Sequence, residues 1–341
     1  MKILYTKRRF RTGSAYKDLK NNIQSNFIFQ GQDGFFLGSL LTAFHVTEKP
    51  FSYIEKHARK ISNTYDWVII NYKASESGKG ITKEQAQSFK NISGCRKALF
   101  IGSAQSKRIP GDRILDLFDL VFKREVYKDL DRYPISYANK QKLRTTMLAC
   151  PLIPATRLNL NRIRIDKFGF ENPPDEYLSD VFFTGANVNQ MRSDVVNNLI
   201  DAPFVFRGGL QDSKKGVVEN RRAFFKRLPH RKFIETIRKS RINLALEGRG
   251  ALTFRHLELW CLCSFMISSP SLKDLNLPIP AIEGKHYVCF DNIEDLNDKV
   301  DFFLKNPDRR KNITKSGRDL FIKHYNFKRH GRYIKGCLEK L

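Results

Sequence analysis

Short apolar runs recur along the first half of the chain, and polar stretches with helical spacing separate them. The clearest helix of this half is predicted near residues 35–46. Strands that alternate with helices predict a parallel α/β sheet, in which all strands end at the same edge. The runs that predict these strands are residues 2–5, 27–29, 67–70, 97–101 and 120–122.

The same pattern restarts after residue 179. Its central part is an apolar strand at 242–246, a turn with Gly248 and Gly250, an apolar helix at 253–262 and a strand at 265–268. This order is the βαβ unit of an open parallel sheet. Further strands are predicted at 180–183, 204–206 and 287–290, and further helices at 191–200, 224–228, 231–238, 307–325 and after Asp291 or Asn292.

A domain boundary is predicted where the periodicity fails. Residues 145–174 lack a strong period and contain four prolines. We therefore predict a Rossmann-like N-terminal domain over 1–150, a linker over 151–179, a second α/β domain over 180–325 and a basic tail over 326–341. A length of 341 residues suits two domains of ordinary size.

Composition narrows the class of protein. Hydrophobic residues make up 41% of the chain, enough for a sizeable core, but no run approaches the roughly 18 apolar residues of a membrane-spanning helix. The N-terminal apolar stretch is short and precedes its charges, so no signal peptide is predicted. The six cysteines form no CxxC pair and no Cys/His cluster with zinc spacing. We therefore expect a reduced, cytoplasmic protein without a metal site.

The net charge of +26 predicts a polyanionic partner, because such a field raises the association rate and affinity of a polyanion. It does not choose between nucleic acid, an anionic membrane surface and a phosphorylated glycolipid. Residues 305–341 have the highest density of positive charge, with twelve Lys/Arg against three Asp/Glu. Aromatic residues lie between these charges, which also fits a solvated helix that packs by its aromatic side.

Two charged residues interrupt the apolar helix at 253–262. Arg255 and Glu258 are three positions apart and therefore share a face. A buried charge costs several kcal/mol unless it is paired or bound. One interpretation is an internal Arg–Glu ion pair. The other places Arg255 beside a phosphate, which its planar fork of donors suits, and Glu258 beside ribose hydroxyls.

Further candidates follow the predicted strands of the second half. Gly185 and Asn187 follow the strand at 180–183 and precede a helix that carries Arg192. Glycine there lets backbone N–H groups approach an anion, which Arg192 can neutralise, although a simple turn with a surface arginine is equally compatible. Arg207 follows the next predicted strand and Gly248 the central one. No GxGxxG, P-loop, GxSxG or HExxH motif is present.

The second half resembles the nucleotide-sugar-binding domain of GT-B glycosyltransferases, including group 1-like and spore-coat-type members. It is also similar to phage DNA glucosyltransferases, in which an arginine follows the strand and loop as Arg192 does here. The resemblance covers about residues 180–325. It is carried by residues 238–244, 254–259 and 263–267, the strand at 287–288, the helix at 294–296 and the basic final helix that ends at Tyr325.

This resemblance implies two Rossmann-like domains with parallel sheets that face a cleft, the N-terminal one on the acceptor side. It implies a nucleotide sugar as substrate, no cofactor and no metal, because arginines would stabilise the leaving diphosphate. The donor would contact Gly185, Asn187, Arg192, Arg207, Gly248, Arg255 and Glu258.

The general base that inverting members of this family carry is harder to identify. The loop after the strand at 97–101 reads Gly102-Ser103-Ala104 and has no acid. Asp33, between Gly31 and Gly34, is the first candidate, although an aspartate among glycines also suits a turn. His45 is the second, although it lies in a predicted apolar helix where a core histidine is common. A retaining enzyme would need no such base.

The sequence therefore predicts a metal-independent glycosyltransferase that acts on a cell-surface glycan or a lipid-linked acceptor. The positive field would also allow peripheral contact with the anionic inner face of a membrane. A DNA-modifying glucosyltransferase of phage type is the first alternative, since the charge would equally suit a phosphate backbone. A polyanion-binding α/β protein without enzymatic activity is the second.

Overall fold

The computed structural model describes residues 1–6, 14–29, 31–73, 81–153, 155–167, 169, 174–213 and 216–341. The chain divides into two compact units. Unit 1 comprises Met1–Arg164, Asn276–Pro278 and Tyr325–Leu341, and unit 2 comprises Ile165–Leu275 and Ile279–His324. Both are parallel α/β structures, so the predicted fold class is confirmed.

Unit 1 is built on a parallel sheet with the strand order β2-β1-β3-β4-β5-β7. Its strands are β1 (Lys2–Thr6), β2 (His45–Lys49), β3 (Trp67–Asn71), β4 (Arg96–Ile101), β5 (Leu120–Lys123), β6 (Val126–Tyr127) and β7 (Leu143–Thr145). The helices of unit 1 that precede β7 are α1 (Ala15–Asn26), α2 (Gly31–Ala43), α3 (Phe51–Ser62), α4 (Lys83–Lys90), α5 (Asp112–Leu115) and α6 (Tyr137–Gln141).

The buried strands of unit 1 coincide with the longest apolar runs. Every residue of β3 is buried, as a central parallel strand with both faces covered requires. The Phe36 ring of α2 stacks on Phe100 of β4 with 3.9 Å between ring centroids. Parallel register sets Thr6 of β1 level with Ile70 of β3, so these strands end together at the carboxyl edge of the sheet.

The last part of the chain returns to unit 1 as helix α12 (Phe327–Glu339). Its apolar side faces α2, and the Phe35 ring lies 4.5 Å from the Phe327 ring. His330 is fully buried between Ser39, whose Oγ lies 2.9 Å from Nδ1, and Thr146, whose Oγ1 lies 2.9 Å from Nε2. Phe327 and His330 of the basic tail therefore form core contacts of unit 1.

Unit 2 carries a parallel sheet with the strand order β13-β11-β10-β8-β9. The strands from here on are β8 (Ser179–Ala186), β9 (Phe206–Gln211), β10 (Ser240–Ala245), β11 (Met266–Ser268), β12 (Leu275–Asn276) and β13 (Val288–Cys289). The helices of unit 2 are α7 (Gln190–Asp201), α8 (His230–Arg238), α9 (Phe254–Cys261), α10 (Ile293–Lys305) and α11 (Pro307–His324). Short 3-10 turns span Leu130–Arg132 in unit 1 and Ile165–Lys167, Arg221–Ala223 and Pro270–Asp274 in unit 2.

One glycine allows β9 to lie against β8. Gly208 has a φ of 126°, and a Cβ atom there would lie 1.7 Å from the carbonyl oxygen of Phe183. Any side chain at this position would therefore separate the two strands. The Asn292 side chain caps α10, as the sequence predicted, by accepting a hydrogen bond from the Asp295 N–H.

Two predicted elements, the strand at 27–29 and the helix at 224–228, are wrong, and two others exist with shifted bounds. Residues 27–29 form no strand: Phe27 caps α1, and the Phe29 ring packs near Phe327 of α12. The helix predicted over 35–46 begins at Gly31 and ends at Ala43. The strand predicted at 204–206 runs instead from Phe206 to Gln211. The helix predicted at 224–228 is absent from that described stretch, which is extended after a short 3-10 turn.

Candidate functional site

The strand order of unit 2 defines a crevice at its carboxyl edge. Strand β8 lies next to β10. From β8 the chain moves to β9 on one side, whereas β11 lies on the other side of β10. Ligands of open parallel sheets bind at such a topological switch point, outside the carboxyl ends of the strands. The residues that follow β8 and β10 are therefore the candidates to examine.

Arg192 lies at this switch point and joins the two strand ends. Helix α7 positions it, and the Asn189 side chain caps that helix by accepting from the Arg192 N–H at 3.1 Å. The guanidinium donates to the carbonyl oxygens of Ala186 (2.8 Å), Leu246 (3.0 Å) and Glu247 (2.7 Å). Burial, and next the charge of Arg255, lowers the pKa of Arg192 to about 10.

Gly185 and Gly248 make room for this guanidinium. A Cβ atom at Gly185 would lie 2.9 Å from Nη1 of Arg192, and one at Gly248 would lie 3.1 Å from Nη2. The two glycines that the sequence singled out at strand ends therefore allow the close approach of a cation. Gly185 lies within β8, one residue before its end, rather than in the loop after it.

Arg255 is the second buried cation of this edge. It follows the Thr253 cap in the first turn of α9, and its Nη2 donates to the carbonyl oxygen of Thr184 at 3.2 Å. The guanidinium carbon lies 4.4 Å from the centroid of the Phe233 ring. Burial lowers the pKa of Arg255, and Glu258 opposes that shift.

Arg255 and Glu258 contact each other. Nε of Arg255 donates to Oε2 of Glu258 at 3.2 Å, and both side chains are about one-seventh exposed, 15% and 13%. The internal ion pair, one of the two interpretations of this helix, therefore forms. It leaves Nη1 of Arg255 buried and without a hydrogen-bond partner within the described part of the chain.

A polar cavity of about 580 Å³ lies on the β9 side of α7. Its lining includes Asn187, whose Nδ2 donates to the Val217 carbonyl at 3.0 Å and whose Oδ1 accepts from Ser193 at 3.1 Å. The polar part of the lining also includes the amides of Asn189, Gln190, Asn197 and Asn220, the Ser193 hydroxyl and the Glu219 carboxylate, beside five apolar residues. Its amides suit a hydroxyl-rich group.

The structure does not bring Arg207 to this edge. It is the second residue of β9 and is exposed, so it lies near the amino end of the strand. Its predicted position at a carboxyl end is wrong, because β9 begins two residues later than the apolar run 204–206 indicated.

Asp33 lies at the corresponding switch point of unit 1. Strand β1 separates β2 from β3 in the sheet, and Asp33 lies in the first turn of α2, where the helix dipole favours a carboxylate. Its Oδ1 accepts from Nδ2 of Asn71 at 3.1 Å, and a Cβ atom at Gly102 would lie 3.1 Å from the same oxygen. Burial, and next the charge of Asp33, raises the pKa of Tyr5 well above its usual value.

His45 is separated from Asp33. It is exposed and begins the edge strand β2, level with Lys2 of β1, at the amino edge of the sheet. The helical environment predicted for it is wrong, because α2 ends at Ala43 and residues 45–49 add a strand to the sheet.

The sequence did not single out several residues that shape these sites. Asn71 orients Asp33, Asn189 caps α7, and Phe233 supports the Arg255 guanidinium. Asn71 had a detectable signal, since it is the first polar residue after the apolar run 67–70. Phe233 had none, because only the packing of α8 brings it to Arg255.

Metal ligands and membrane spans were also sought within the described residues. No group of three or more His, Cys, Asp or Glu side chains there could hold a metal ion. No helix there combines the length and apolar character needed to cross a bilayer. All six cysteines are free.

Comparison with solved structures shows the same architecture over nearly the whole chain. HepE from Anabaena, in complex with UDP and glucose, aligns with a TM-score of 0.55 at 11% identity over 100% of both chains. A DNA-modifying β-glucosyltransferase, solved with and without uridine diphosphoglucose, gives 0.53 at 12% identity over 99% of this chain and 100% of the other. T4 phage BGT with its UDP-glucose substrate gives 0.50 at 14% identity, again over 99% and 100%.

The sequence comparisons are narrower. A search of curated proteins finds no match. Residues 194–335 match the family model described as glycosyl transferase-like, a range that contains α7 from its fifth residue, Arg255, Glu258 and most of α12. The whole-chain fold is that of GT-B glycosyltransferases. The predicted resemblance is therefore confirmed, because residues 194–335 match a glycosyl transferase-like family and the whole chain has the GT-B fold.

Proposed function

We propose that this enzyme transfers a sugar from a nucleoside diphosphate sugar that binds at the β8/β10 switch point of unit 2. The observation that carries the proposal is the buried Nη1 of Arg255, which has no hydrogen-bond partner among the described residues and lies beside a second buried guanidinium, that of Arg192. Each of two neighbouring positive charges disfavours the charged form of the other. A bound diphosphate would relieve that repulsion and satisfy the free donor.

Each residue has a separate task in this proposal. Arg255 donates to the diphosphate and stabilises the charge that develops as the nucleotide leaves. Arg192 adds positive potential while it holds the strand ends together. Glu258, held by Arg255, accepts from the vicinal hydroxyls of the ribose. The amide-lined cavity beside Asn187 suits an uncharged polar part of the ligand.

The donor base is proposed to be uracil. HepE was solved with UDP-glucose and T4 phage BGT with UDP-glucose as its substrate, and both share this fold. Uridine diphosphate sugars are therefore the first donors to test.

The reaction is a substitution at the anomeric carbon. An acceptor hydroxyl oxygen bonds to that carbon, the bond from the carbon to the β-phosphate oxygen breaks, and the nucleoside diphosphate leaves with the electron pair. We propose that Asp33 takes the proton of the acceptor hydroxyl. Its Asn71 hydrogen bond fixes the carboxylate, and the neighbouring Gly102 leaves Oδ1 uncrowded.

The acceptor is proposed to be a cell-surface glycan or a lipid-linked precursor, with peripheral contact to an anionic membrane. A net charge of +26 supports an acceptor or surface that carries negative charge. The same charge, and the resemblance in fold to a DNA-modifying β-glucosyltransferase, support duplex DNA as the alternative acceptor.

Calorimetric titration tests the donor site, with UDP, GDP and CMP as probes. We expect one nucleotide to bind and the Arg255→Ala variant to bind it roughly 100-fold more weakly. Arg241→Ala is the matched control, because Arg241 is a more exposed arginine of the same unit, paired with Asp180 at 2.6 Å. Equal binding by the wild type and Arg255→Ala would remove this assignment.

A donor-hydrolysis screen then tests the activity. Release of free nucleotide from one nucleotide sugar identifies the donor, and addition of duplex DNA or of a glycolipid fraction identifies the acceptor by faster turnover. Polyanion binding with no nucleotide binding at all would favour the non-enzymatic alternative.

A further inference from the structure

Helix α1 has its polar and apolar sides reversed. Among the side chains of α1 that the structure describes, the half-buried ones are Asp18, Asn21 and Asn22. The exposed positions include Tyr16 (73% exposed), Leu19 (61%) and Ile23 (39%). A helix on a protein surface normally turns its apolar stripe toward the core. The apolar stripe of α1 instead faces solvent.

The apolar stripe continues beyond the helix. Phe27, the C-terminal cap of α1, is 59% exposed. The backbone N–H of Arg157 donates to the Phe27 carbonyl oxygen at 3.3 Å, which sets the next residue, Leu158, beside the end of the helix. Leu158 is 94% exposed. We call Tyr16, Leu19, Ile23, Phe27 and Leu158 the α1 patch. All five residues belong to unit 1.

Positive charge borders the α1 patch. Lys17 and Lys20 are exposed on the same helix. In the sequence, residues 7–13 directly precede it and contain Lys7, Arg8, Arg9 and Arg11 without any acid; their placement lies outside the described residues. An exposed apolar stripe with basic neighbours, and with Tyr and Phe among Leu and Ile, has the composition of a helix that lies in the interface of an anionic bilayer.

We propose that unit 1 docks on an anionic lipid surface through the α1 patch. A helix of 12 residues is too short to span a bilayer, so it would lie in the plane of the headgroups. A second copy of the chain fits less well, because two molecules of +26 repel each other. Duplex DNA fits less well, because a phosphate backbone does not cover the three large apolar side chains of α1 and the Phe27 ring after them.

This inference concerns unit 1 and holds whether or not the donor-site proposal is correct. It adds a physical reason to expect a lipid-linked acceptor, because a docked enzyme would meet its acceptor at the same surface. Co-sedimentation with vesicles tests it. Vesicles of phosphatidylcholine alone are compared with vesicles that also contain phosphatidylglycerol.

We expect the wild type to bind the anionic vesicles. The partition coefficient of the double variant Leu19→Asp, Ile23→Asp should be lower by roughly tenfold or more, because two apolar side chains that would be buried in the bilayer are replaced by carboxylates. Tyr137→Asp is the matched control, because Tyr137 is 76% exposed on another helix of unit 1. Donor hydrolysis in solution should not change in either variant, which separates this proposal from the donor-site proposal.

A second measurement does not depend on loss of binding. In Leu19→Trp, the new indole should shift its emission to shorter wavelength when anionic vesicles are added, against the buried background of Trp67 and Trp260. Unshifted emission together with unchanged sedimentation of the double variant would overturn the proposal. So would a dimer in wild-type sedimentation velocity that the double variant abolishes, since the patch would then bind a second copy.

Discussion

The two sheets have comparable switch points with opposite charge. In unit 2, two buried guanidiniums lie at the ends of β8 and β10. In unit 1, the end of β3 and the first turn of α2 bring together a carboxylate, an amide and a phenol, those of Asp33, Asn71 and Tyr5. The same strand arrangement therefore supports either sign of charge, and local donors and acceptors decide which.

The difference lies in how each charge is held. Arg192 donates to three main-chain carbonyls at strand ends, which carry partial negative charge. Asp33 instead lies at a helix N-terminus, where backbone N–H groups and the dipole favour an anion. A cationic edge suits retention of a diphosphate, and an anionic edge suits acceptance of a proton.

Asp33→Asn should have the largest effect. An isosteric amide keeps the helix turn but cannot accept a proton, so the transfer rate should fall by roughly two to four orders of magnitude. Donor affinity, measured by calorimetry, should stay within about twofold. His45→Ala is the control and should transfer at the wild-type rate, because His45 lies at the opposite edge of the sheet. A transfer rate that survives Asp33→Asn would contradict the role of an acidic edge.

Arg255→Ala should act on the donor instead of the acceptor. Loss of charge-assisted hydrogen bonds to a diphosphate should weaken nucleotide binding by roughly 100-fold. The free energy of unfolding should fall as well, because Glu258 is left without its ion-pair partner in a mostly buried position. Thermal unfolding of the variant separates the two effects, and a folded variant with full nucleotide affinity would refute the cationic-edge assignment.

Acid should act on unit 1 through His330. Burial lowers the pKa of this histidine from 6.5 to about 3, so the folded state holds it neutral. The stabilisation is complete above pH 6.5 and is lost as the pH falls toward 3, with a slope of about 1.4 kcal/mol per pH unit. Urea unfolding at stepped pH measures it. His330→Gln should flatten the slope in this window, and an unchanged slope would place the titration elsewhere.

Gly185→Ala should have a smaller effect. The added methyl group would lie 2.9 Å from Nη1 of Arg192, so the guanidinium must shift or the strand end must open. We expect a loss of about 1–3 kcal/mol in the free energy of unfolding and a several-fold weaker nucleotide affinity. Gly336→Ala on α12 is the control, because a Cβ atom there would have no neighbour within 4 Å among the described residues. Identical behaviour of the two variants would mean that Arg192 is not confined.

Arg207→Ala should have the smallest effect. Arg207 is exposed near the amino end of β9 and pairs with Phe182, four residues before the end of β8. Nucleotide affinity should change by less than about twofold, as for most surface substitutions. A larger loss in the calorimetric titration would mean that donor recognition extends beyond the carboxyl edge.

The spacing of apolar residues along the sequence, together with its composition, predicted most of the fold and part of the site. The apolar runs at 67–70, 97–101 and 242–246 became central strands, because a buried parallel strand needs a continuous apolar segment. Arg255 and Glu258 stood out because charge is rare in an apolar helix. His45 and Arg207 were misplaced because strand boundaries depend on pairing with neighbours, which a single segment does not encode.

The reversed side of α1 could not be foreseen for a different reason. Its sequence has ordinary amphipathic spacing, and only the packing against α2 reveals which side faces outward. Asn71 is an intermediate case: its position after the apolar run 67–70 marks it, but its hydrogen bond to Asp33, 38 positions away in the sequence, is visible only in the fold. Sequence patterns identify which residues are unusual, and tertiary contacts decide what they do.

The return of α12 to unit 1 bears on how the protein is made. The ribosome synthesises residues 1–164 long before residues 327–338. The later residues nevertheless supply Phe327, His330, Ile334 and Leu338 to the interior of unit 1. Unit 1 must therefore wait, with the α2 side of its core uncovered, while unit 2 is being synthesised. We expect nascent chains stalled before residue 327 to bind chaperones through that surface and to release them once the final helix emerges.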